Sequence, residues 1–488
     1  MSKKTFRIVA VSVCAFILVV VLAVNIAVGI FSGLIDKFVI GYKDGSNSRA
    51  ARAEGAALAE QIQEEGTVLV QNNDDVLPLS KTATPQVNVF GWAVTDWVIS
   101  GSGSGQVKRG ASTDFLEALT EYGIDYNTEI TDMYARYRPN REFSINGSHA
   151  GSATEANPGG SGSLHRFNYE FSRLYEPSID DTSYYTDSML TNAEAYSDTA
   201  IVVIGRVSGE SNDSPKVQYK GDPGTGKKTG MPAEDHIDKT RTYLEISTEE
   251  EALLEYVGET YENVIVLINS TNVMELGFME TIPGLDSCLV VATTGSAGAK
   301  AIPGILYGDI NPSGKLADTY AYDLSTSSTY VDTGSGNDTT NFYTNSDGLY
   351  PTGEDHTNGS STVKYQGVAY TDYRESVYMG YRWYETADTM GFWDDSYAEN
   401  KWGIENGYDD VVQYPFGYGL SYTEFEWNIT YLEIPNGTSI SLDGEDNSVI
   451  KVGVTVTNTG NVPGQDVVEL YYSAPYDQIE KSSVVLGE

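Results

Sequence analysis

Five short runs of β-branched and aliphatic residues recur along this chain, and several segments between them carry apolar residues at helical spacing. A strand that is apolar on both faces must be buried on both faces, which happens in mostly parallel sheets covered by helices. The sequence therefore predicts an α/β fold, with a mostly parallel sheet sandwiched by helices. The predicted strands are Thr67–Gln71, Val87–Phe90, Thr199–Ile204, Val264–Asn269 and Cys288–Ala292.

One helix is predicted before these strands and three between them. The best marked is Ser247–Tyr261, because Ser247 and Glu250 fit a Ser-x-x-Glu capping box at its start. The other predicted helices are Ala50–Glu65, Asp114–Tyr122 and Ser188–Tyr196. Two stretches rich in Ser, Thr, Gly, Asn and Asp are predicted to be long surface loops, about Arg136–Asp181 and Asp323–Lys364.

The N-terminus carries an almost wholly apolar run from Ile8 to Ile30, preceded by Lys3, Lys4 and Arg7. About 20 apolar residues in a helix span a bilayer, and basic residues favour the cytoplasmic side. We therefore predict a single-pass anchor in the cell membrane, with the bulk of the chain extracellular. The alternative is a cleaved signal peptide, but the run exceeds the usual apolar core of about 7–15 residues, and Ala27-Val28-Gly29 is a poor cleavage site.

The hydrophobic pattern changes to period two beyond Trp427, most clearly in Val452–Val456 and Val467–Tyr471. This alternation is typical of an antiparallel β-sandwich. The remaining stretch is shorter than the roughly 100 residues of a complete immunoglobulin-like sandwich, so the predicted sandwich is partial. The predicted domains are a cytoplasmic tail (1–7), a transmembrane anchor (8–34), a linker and helix (35–64), the α/β domain (65–426) and the partial sandwich (427–488).

The charge balance excludes some partners. The chain has 69 acidic and 30 basic side chains, a formal net charge of -39, which repels phosphate backbones and makes nucleic acid an improbable partner. A neutral sugar is compatible with this charge. Cys14 and Cys288 are not placed to pair, and the four histidines show no metal-ligand spacing. We expect no disulfide, no metal and no other cofactor.

Two polar loops follow predicted strands, at the strand ends where α/β sheets bind ligands. Ser100–Val107 alternates serine and glycine, so it is either a linker or a loop whose amides and hydroxyls contact a ligand. Gly205–Asp213 contains Glu210, which is either a solvated side chain in a turn or a carboxyl that can protonate a leaving oxygen. A third segment, Gly221–Lys227, imitates a P-loop, but Lys228 replaces the hydroxyl residue that would hold magnesium, and we expect a flexible loop.

Six motifs, in order along the chain, resemble those of the α/β sandwich domain of family 3 glycoside hydrolases. Ser208-Gly209-Glu210 resembles the family's acid/base motif, and the most specific match is Gly308–Leu316, which is close to Gly-Asp-x-Asn-Pro-Ser-Gly-Lys-Leu. The other four are Glu65–Asn72 with Leu77-Pro78-Leu79, the glycine loop Gly101–Val107 with Ser102 in place of a glycine, Gly380–Tyr384, and Pro415–Tyr422 at the passage into a fibronectin type III-like domain.

The resemblance implies a retaining hydrolysis of a β-linked glucoside or oligosaccharide, by two carboxyl groups about 5–5.5 Å apart. Carried over residue by residue, it makes Glu210 the catalytic acid/base. It also places Ser102, Gly103, Ser104, Gly105 and Asp213 at the entrance to the sugar site. In the family the nucleophilic aspartate lies on a separate (β/α)8 barrel. This sequence does not show the eight alternating strands and helices that such a barrel requires. Some relatives carry the sandwich domain first and the barrel last, and this chain resembles a truncated member of that subgroup.

Other motifs are expected to be structural. Thr95-Asp96-Trp97 imitates the barrel's nucleophile motif but lies in the sandwich domain, and Lys315 is expected to shape a turn. A tryptophan is more often a core residue than a platform on which a sugar ring stacks. We therefore expect most of the following to be core residues: Trp92, Trp97, Trp383, Trp393 and Trp402. The predicted function is a β-glucosidase-like hydrolase that supplies the acid/base half of the site and has little or no activity as an isolated chain. The alternative is a non-catalytic, membrane-anchored module that binds carbohydrate or a partner.

Overall fold

A computed structural model gives the fold. It describes residues 2–7, 9, 11–13, 16, 18–21, 46–101, 107, 112–137, 173–209, 214–220, 234–330, 349–358, 361–369, 373–394, 407–433, 450–474 and 480–487. The chain divides into an N-terminal unit, Met1–Ala57, and a larger unit, Leu58–Glu488. In the N-terminal unit, the helix Lys3–Val21 is long and apolar enough to cross a membrane, a property that signal sequences share.

The remaining helices and strands alternate along the chain. The helices are α1 (Ser46–Gly66), α2 (Phe115–Tyr122), α3 (Thr128–Tyr137), α4 (Asp187–Tyr196), α5 (Thr248–Thr260), α6 (Phe278–Thr281), α7 (Ala301–Leu306), α8 (Tyr381–Thr389) and α9 (Tyr408–Val411). The strands of the central sheet are β1 (Val68–Asn72), β2 (Gln86–Phe90), β3 (Asp125–Tyr126), β5 (Thr199–Arg206), β8 (Asn263–Ser270) and β9 (Ser287–Val290). Smaller sheets contain β4 (Arg173–Leu174), β6 (Gln218–Lys220), β7 (Ile237–Asp238), β10 (Tyr320–Ala321), β11 (Leu349–Asn358), β12 (Ser361–Ala369), β13 (Val412–Tyr414), β14 (Phe425–Glu433), β15 (Lys451–Asn458), β16 (Tyr471–Tyr472) and β17 (Val485–Leu486).

The central sheet has the strand order β1-β9-β8-β5-β2-β3. Strand β1 pairs antiparallel with β9, and the other neighbouring strands are parallel. The predicted α/β architecture with a mostly parallel sheet is therefore confirmed, and β1 gives the sheet one antiparallel edge. Strands β5 and β8 pair in unbroken register from Thr199↔Asn263 to Arg206↔Ser270. All eight residues of β5 are buried, as the apolar run Ala200–Ile204 requires.

Local capping signals fix where two helices begin. Ser247 caps α5: its Oγ accepts from the Glu250 N–H at 3.1 Å, and its own N–H donates to Glu250 Oε2 at 2.8 Å. This is the capping box that the sequence predicts. Asp114 and Glu117 make the same reciprocal arrangement at the start of α2. The predicted helix boundaries therefore lie within a residue of the observed ones at these two sites.

Two local predictions need correction, and some helices were not predicted, α3 among them. Helix α3 was not predicted from the sequence, although Ile130, Met133 and Tyr134 fall on one buried face. The hairpin β11–β12 occupies the last part of the stretch predicted as a surface loop at 323–364, because an antiparallel ladder from Leu349↔Ala369 to Asn358↔Ser361 satisfies the backbone there.

In the predicted sandwich, only part of the pattern becomes strand. The run Val452–Val456 lies in β15, which pairs antiparallel with β14. The second run, Val467–Tyr471, is wrong as a strand: residues 463–470 are irregular, and only Tyr471–Tyr472 pairs, with Val485–Leu486. Period-two spacing makes a segment compatible with a strand, but strand formation also needs a neighbour to hydrogen-bond with.

Candidate active site

The predicted site loops start at the carboxyl edge of the central sheet, after β2 and β5. The predicted catalytic and sugar-contacting residues lie outside the part of the chain that the structure describes: Glu210, Asp213, Ser102, Gly103, Ser104 and Gly105. The P-loop imitation at 221–227 lies outside it too. The residues that lead into both loops are described.

The two loops begin in contact with each other. A Cβ atom placed on Gly101 would lie 2.6 Å from the Ser208 carbonyl oxygen, so the two backbones touch at these residues. Asn269, in β8, holds the approach to the first loop, because its side chain accepts from the Val98 N–H at 2.6 Å and donates to the Val98 carbonyl at 2.9 Å. The described starts of the serine-glycine loop and of the Ser-Gly-Glu motif, at Gly101 and Ser208, therefore lie side by side.

Ser208 is held by residues that follow β8. Its N–H donates to Thr271 Oγ1 at 2.7 Å, and its own Oγ lies 3.1 Å from the same hydroxyl and hydrogen-bonds Asn272 Oδ1. Gly209 then takes a φ of +150°, in the range where glycine is favoured. The backbone thus has a conformation that favours glycine one residue before Glu210 in the chain, directly after the hydrogen-bonded Ser208.

A cleft of about 500 Å³ opens at Ser208 and Gly209. Gly209 borders it on one side, and Asn272, Asp318 and Tyr330 line it elsewhere. Its lining is rich in hydroxyl groups, from Ser208, Ser214, Thr242, Ser327, Thr329 and Tyr330. Hydroxyls both donate and accept hydrogen bonds, as the hydroxyls of a sugar require of a binding site. The cleft also holds one ammonium group, since Lys216 Nζ lies 4.8 Å from the centroid of the Tyr330 ring.

A buried ion pair lies directly behind the cleft. Arg206, the last residue of β5, forms a two-pronged contact with Glu250: Nη1 to Oε1 at 2.8 Å and Nη2 to Oε2 at 2.6 Å. Its other N–H groups donate to the carbonyls of Gly205, Tyr243 and Glu245 at 2.6–2.8 Å. All five donors of the guanidinium are therefore satisfied although the side chain is fully buried.

A second buried carboxylate lies near this pair. Glu176 accepts hydrogen bonds from the Trp92 N–H and from the hydroxyls of Tyr134 and Tyr185, each at 2.8 Å. Burial raises the pKa of Glu176 to about 8, against the opposing effect of those hydrogen bonds. The Trp92 indole N–H reaches Glu250 Oε1 at 3.3 Å, so one residue joins the two carboxylates.

Residues expected to be structural are found in structural surroundings. Trp97 is fully buried, stacks on Phe115 and donates its indole N–H to Thr294 Oγ1 at 2.8 Å. Asp96 beside it is 3 % exposed, which does not suit a nucleophile that must reach a sugar. Trp92 and Trp393 are also core residues, Trp383 is half-buried against Phe392, and Trp402 lies outside the described ranges.

The most specific sequence motif, Gly308–Leu316, joins distant parts of the chain. Asn311 Oδ1 accepts from the Tyr422 N–H at 2.8 Å and the Ser421 hydroxyl at 2.9 Å. Lys315 donates to the Gly419 carbonyl at 2.7 Å and pairs with Asp466 at 3.0 Å. The motif therefore connects the α/β body to the segment that leads into β14, and Lys315 is structural, as predicted.

The residues described by the structure include no group of three or more His, Cys, Asp or Glu side chains that could hold a metal ion. The polar groups at the sheet edge bind one another or line the hydroxyl-rich cleft. The arrangement suits a ligand recognised by hydrogen bonds.

The family follows from a profile match across the same region. The profile described as Glycosyl hydrolase family 3 C-terminal domain matches residues 67–422, which contain the sheet, the cleft and both site loops. The chain belongs to this family. The resemblance seen in its motifs is thus confirmed at the level of the family.

Two curated relatives of this family 3 chain are named as β-glucosidases. It is 30% identical over 432 residues to β-glucosidase A of Butyrivibrio fibrisolvens, covering 87% of this chain and 42% of that enzyme. It is 27% identical over 431 residues to a β-glucosidase of Ruminococcus albus, covering 88% of this chain and 33% of that enzyme. The family 3 chain thus spans less than half the length of these relatives.

Solved structures agree with the fold. A β-glucosidase from Paenibacillus barengoltzii superposes with a TM-score of 0.58 at 26% identity, over 89% of this chain and 36% of that one. β-Glucosidase 3B from Thermotoga neapolitana, solved in complex with glucose, gives a TM-score of 0.55 at 24% identity, over 89% of this chain and 46% of that one. The second likeness shows the shared fold alone.

Sequence reasoning missed the residues that hold the family 3 site from behind. Glu250 was predicted as half of a capping box, but its pairing with Arg206 joins residues 44 positions apart and leaves no local pattern. Tyr243 and Thr271 were missed for the same reason. A buried arginine at the end of an otherwise apolar strand is the one available signal, because such a charge needs a partner.

Proposed function

We propose that this chain supplies the acid/base half of a retaining, β-glucosidase-type active site, with Glu210 as the proton donor. The observation that carries the proposal is the cleft of about 500 Å³ bordered by Ser208 and Gly209, because the next residue along the chain is Glu210. The touching backbones of Gly101 and Ser208 support it, since they start the serine-glycine loop beside that cleft.

The proposed chemistry needs two carboxyl groups with different roles. Protonated Glu210 donates to the glycosidic oxygen as the bond to the anomeric carbon breaks, while an aspartate on a separate (β/α)8 barrel attacks that carbon. Glu210, now ionised, then removes a proton from the water that releases the sugar. The hydroxyl-rich cleft would receive the leaving group, and Ser102, Gly103, Ser104, Gly105 and Asp213 would line the entrance.

The wider setting is part of the same proposal. The substrate class is a β-linked glucoside or oligosaccharide, which the β-glucosidase names of the relatives support. A domain order with the sandwich before the barrel is proposed from the motifs. The helix Lys3–Val21 supports a single-pass membrane anchor with the catalytic body outside the cell.

A chimera tests the role of Glu210. Residues 67–422 replace the matching segment of the Butyrivibrio fibrisolvens enzyme, and hydrolysis of cellobiose is compared with that of an activated aryl β-glucoside. Glu210→Gln should slow cellobiose hydrolysis by about 10²–10⁴-fold, because the glucose leaving group needs a proton. The aryl glucoside should be slowed less.

The control is Glu262→Gln, which changes an exposed glutamate beside the amino end of β8 and should leave both rates unchanged. Equal cellobiose rates with and without Glu210→Gln would remove Glu210 from its role. If glucoside binding survived in that case, the non-catalytic binding module would be the better function. Robust turnover by the 488-residue chain alone would contradict the placement of the nucleophile on a separate barrel.

A further inference from the structure

The last three residues described before Gly209 are each held by a hydrogen bond from another part of the chain. Arg206 is bound by Glu250 and three carbonyls, Val207 by the hydroxyl of Tyr243, and Ser208 by Thr271 and Asn272. Strand β5 ends at Arg206, so Val207 and Ser208 receive no support from its ladder with β8. The side-chain contacts therefore replace the sheet as the restraint on this backbone.

Tyr243 makes the most specific of these contacts. Its hydroxyl accepts from the Val207 N–H at 2.8 Å and donates to the Val207 carbonyl at 3.1 Å, so one oxygen holds both polar groups of one residue. The side chain is 1 % exposed. Burial raises the pKa of Tyr243 to about 12, so the hydroxyl keeps its proton at physiological pH.

Tyr243 is itself fixed by the buried ion pair. Arg206 Nε donates to the Tyr243 carbonyl at 2.6 Å, and the guanidinium carbon lies 5.5 Å from the centroid of the Tyr243 ring. Glu250 holds the guanidinium from the first turn of α5. Movement of Val207 would thus require either the loss of a buried hydrogen bond or displacement of an arginine whose donors are all in use.

Thr271 holds the residues on either side of Val207. Its N–H donates to the Arg206 carbonyl at 3.1 Å, continuing the ladder by one residue, and its hydroxyl accepts from the Ser208 N–H at 2.7 Å. The two hydroxyls, from Tyr243 and Thr271, therefore hold the consecutive residues Val207 and Ser208. Gly209 alone, with its φ of +150°, separates this fixed segment from Glu210.

We propose that Tyr243 and Thr271 are positioning residues, whose hydroxyls fix the backbone at Val207 and Ser208 and thereby support the acid role of Glu210, which follows Gly209 in the chain. The inference rests on the proposed role of Glu210 as the acid. An acid on a loosely held backbone would spend time in bulk water, where its pKa falls to the ordinary value near 4.3 and its proton is lost at neutral pH.

The test measures the protonation of Glu210 in the full chain, purified in detergent. A water-soluble carbodiimide couples an added amine to protonated carboxyl groups, and peptide mass spectrometry quantifies the labelling of Glu210 at each pH. Hydrogen exchange of the peptide spanning residues 207–210 reports the order of the backbone. The variants are Tyr243→Phe and Thr271→Val, each of which removes a hydroxyl and keeps nearly the same shape.

In the unsubstituted chain, the labelling midpoint of Glu210 should lie well above the roughly 4.3 of a solvated glutamate. Each variant should lower that midpoint by about one pH unit and speed exchange of the Val207 and Ser208 amides about tenfold. The control is Tyr307→Phe, which removes another buried tyrosine hydrogen bond, to the Thr84 carbonyl at 3.0 Å, ahead of β2. It should change neither readout.

The outcomes separate the two proposals. A raised midpoint that stays unchanged in both Tyr243→Phe and Thr271→Val overturns the positioning role and leaves Glu210 as the acid. A midpoint near 4.3 in the unsubstituted chain overturns the proposed function and this inference together. If one variant fails to fold, as judged by its thermal transition, the other decides by the same criterion.

Discussion

Two strand pairs of similar length have very different surroundings in this protein. In the central sheet, β5 and β8 pair over eight residues, and every β5 side chain is buried. In the C-terminal hairpin, β14 and β15 pair over a comparable length, yet Trp427, Ile429 and Leu432 are 48%, 69% and 58% exposed. Both pairs satisfy their backbone hydrogen bonds.

The difference shows what the ladder alone contributes. Backbone pairing exchanges hydrogen bonds with water for hydrogen bonds within the chain and yields little net stability, whereas apolar burial yields about 25 cal/mol for each Å² removed from water. The central pair therefore carries the stability of the body and offers a rigid edge for the site. The hairpin presents an apolar face whose contribution depends on what covers it.

The largest loss of stability is expected from breaking the buried ion pair at the end of β5. Glu250→Ala leaves the Arg206 guanidinium buried without its carboxylate and should lower the free energy of unfolding by about 3–5 kcal/mol. The matched change is Glu249→Ala on the same helix, which removes a half-exposed pair with Lys220 and should cost at most about 1 kcal/mol. Urea unfolding measures both, and equal losses would contradict the importance of burial.

The difference in burial between the two strand pairs is tested most directly by the same isoleucine-to-alanine substitution in each. Ile265→Ala, at a fully buried position in β8, should cost about 2–5 kcal/mol of unfolding free energy, because it removes packed methyl groups and leaves a cavity. Ile429→Ala, on the exposed face of β14, should change it by less than about 0.5 kcal/mol. Thermal and urea unfolding provide the measurement. A large loss from Ile429→Ala would mean that its face is covered in solution.

A smaller effect on the free energy of unfolding is expected from the buried Glu176, and it depends on pH. Because the pKa of Glu176 is raised to about 8 in the folded protein, the native state keeps a proton that the unfolded chain releases near 4.5. Its stabilising contribution is full below 4.5 and is lost as the pH rises through 8. Between pH 5 and pH 7 this loss is about 2–3 kcal/mol, at roughly 1.4 kcal/mol per pH unit.

Glu176→Gln removes the titration and should flatten that part of the stability profile. Unfolding free energies of the two proteins, measured at several pH values, should therefore diverge steadily from pH 5 to pH 7, with the variant gaining relative to the parent. Parallel profiles would show that the carboxyl is not buried as the structure describes.

The sequence predicted those parts of the fold that depend on neighbouring residues. The buried run Ala200–Ile204 and the Ser247–Glu250 capping box carry their own local signals, and both appear where expected. Val467–Tyr471 shows the limit, since its alternation is intact but the strand needs a partner that the pattern does not specify.

The candidate site likewise has features that the sequence predicts and features that only the packing reveals. Motifs located its loops at the carboxyl ends of β2 and β5, and the contact between Gly101 and Ser208 agrees with that placement. The role of Glu210 stays a prediction. The contacts of Tyr243 with Val207 and of Arg206 with Glu250 join residues 36 and 44 positions apart, so only three-dimensional packing reveals them.

The close approach of Gly101 to the Ser208 carbonyl has a practical consequence for engineering. Any side chain at 101 would overlap that oxygen unless the backbone moved, and the backbone at 208 is the one that leads to Glu210, the proposed proton donor. Libraries that randomise the serine-glycine loop to change substrate preference should therefore keep position 101 fixed, and grafts from other enzymes should transfer both loops as one unit.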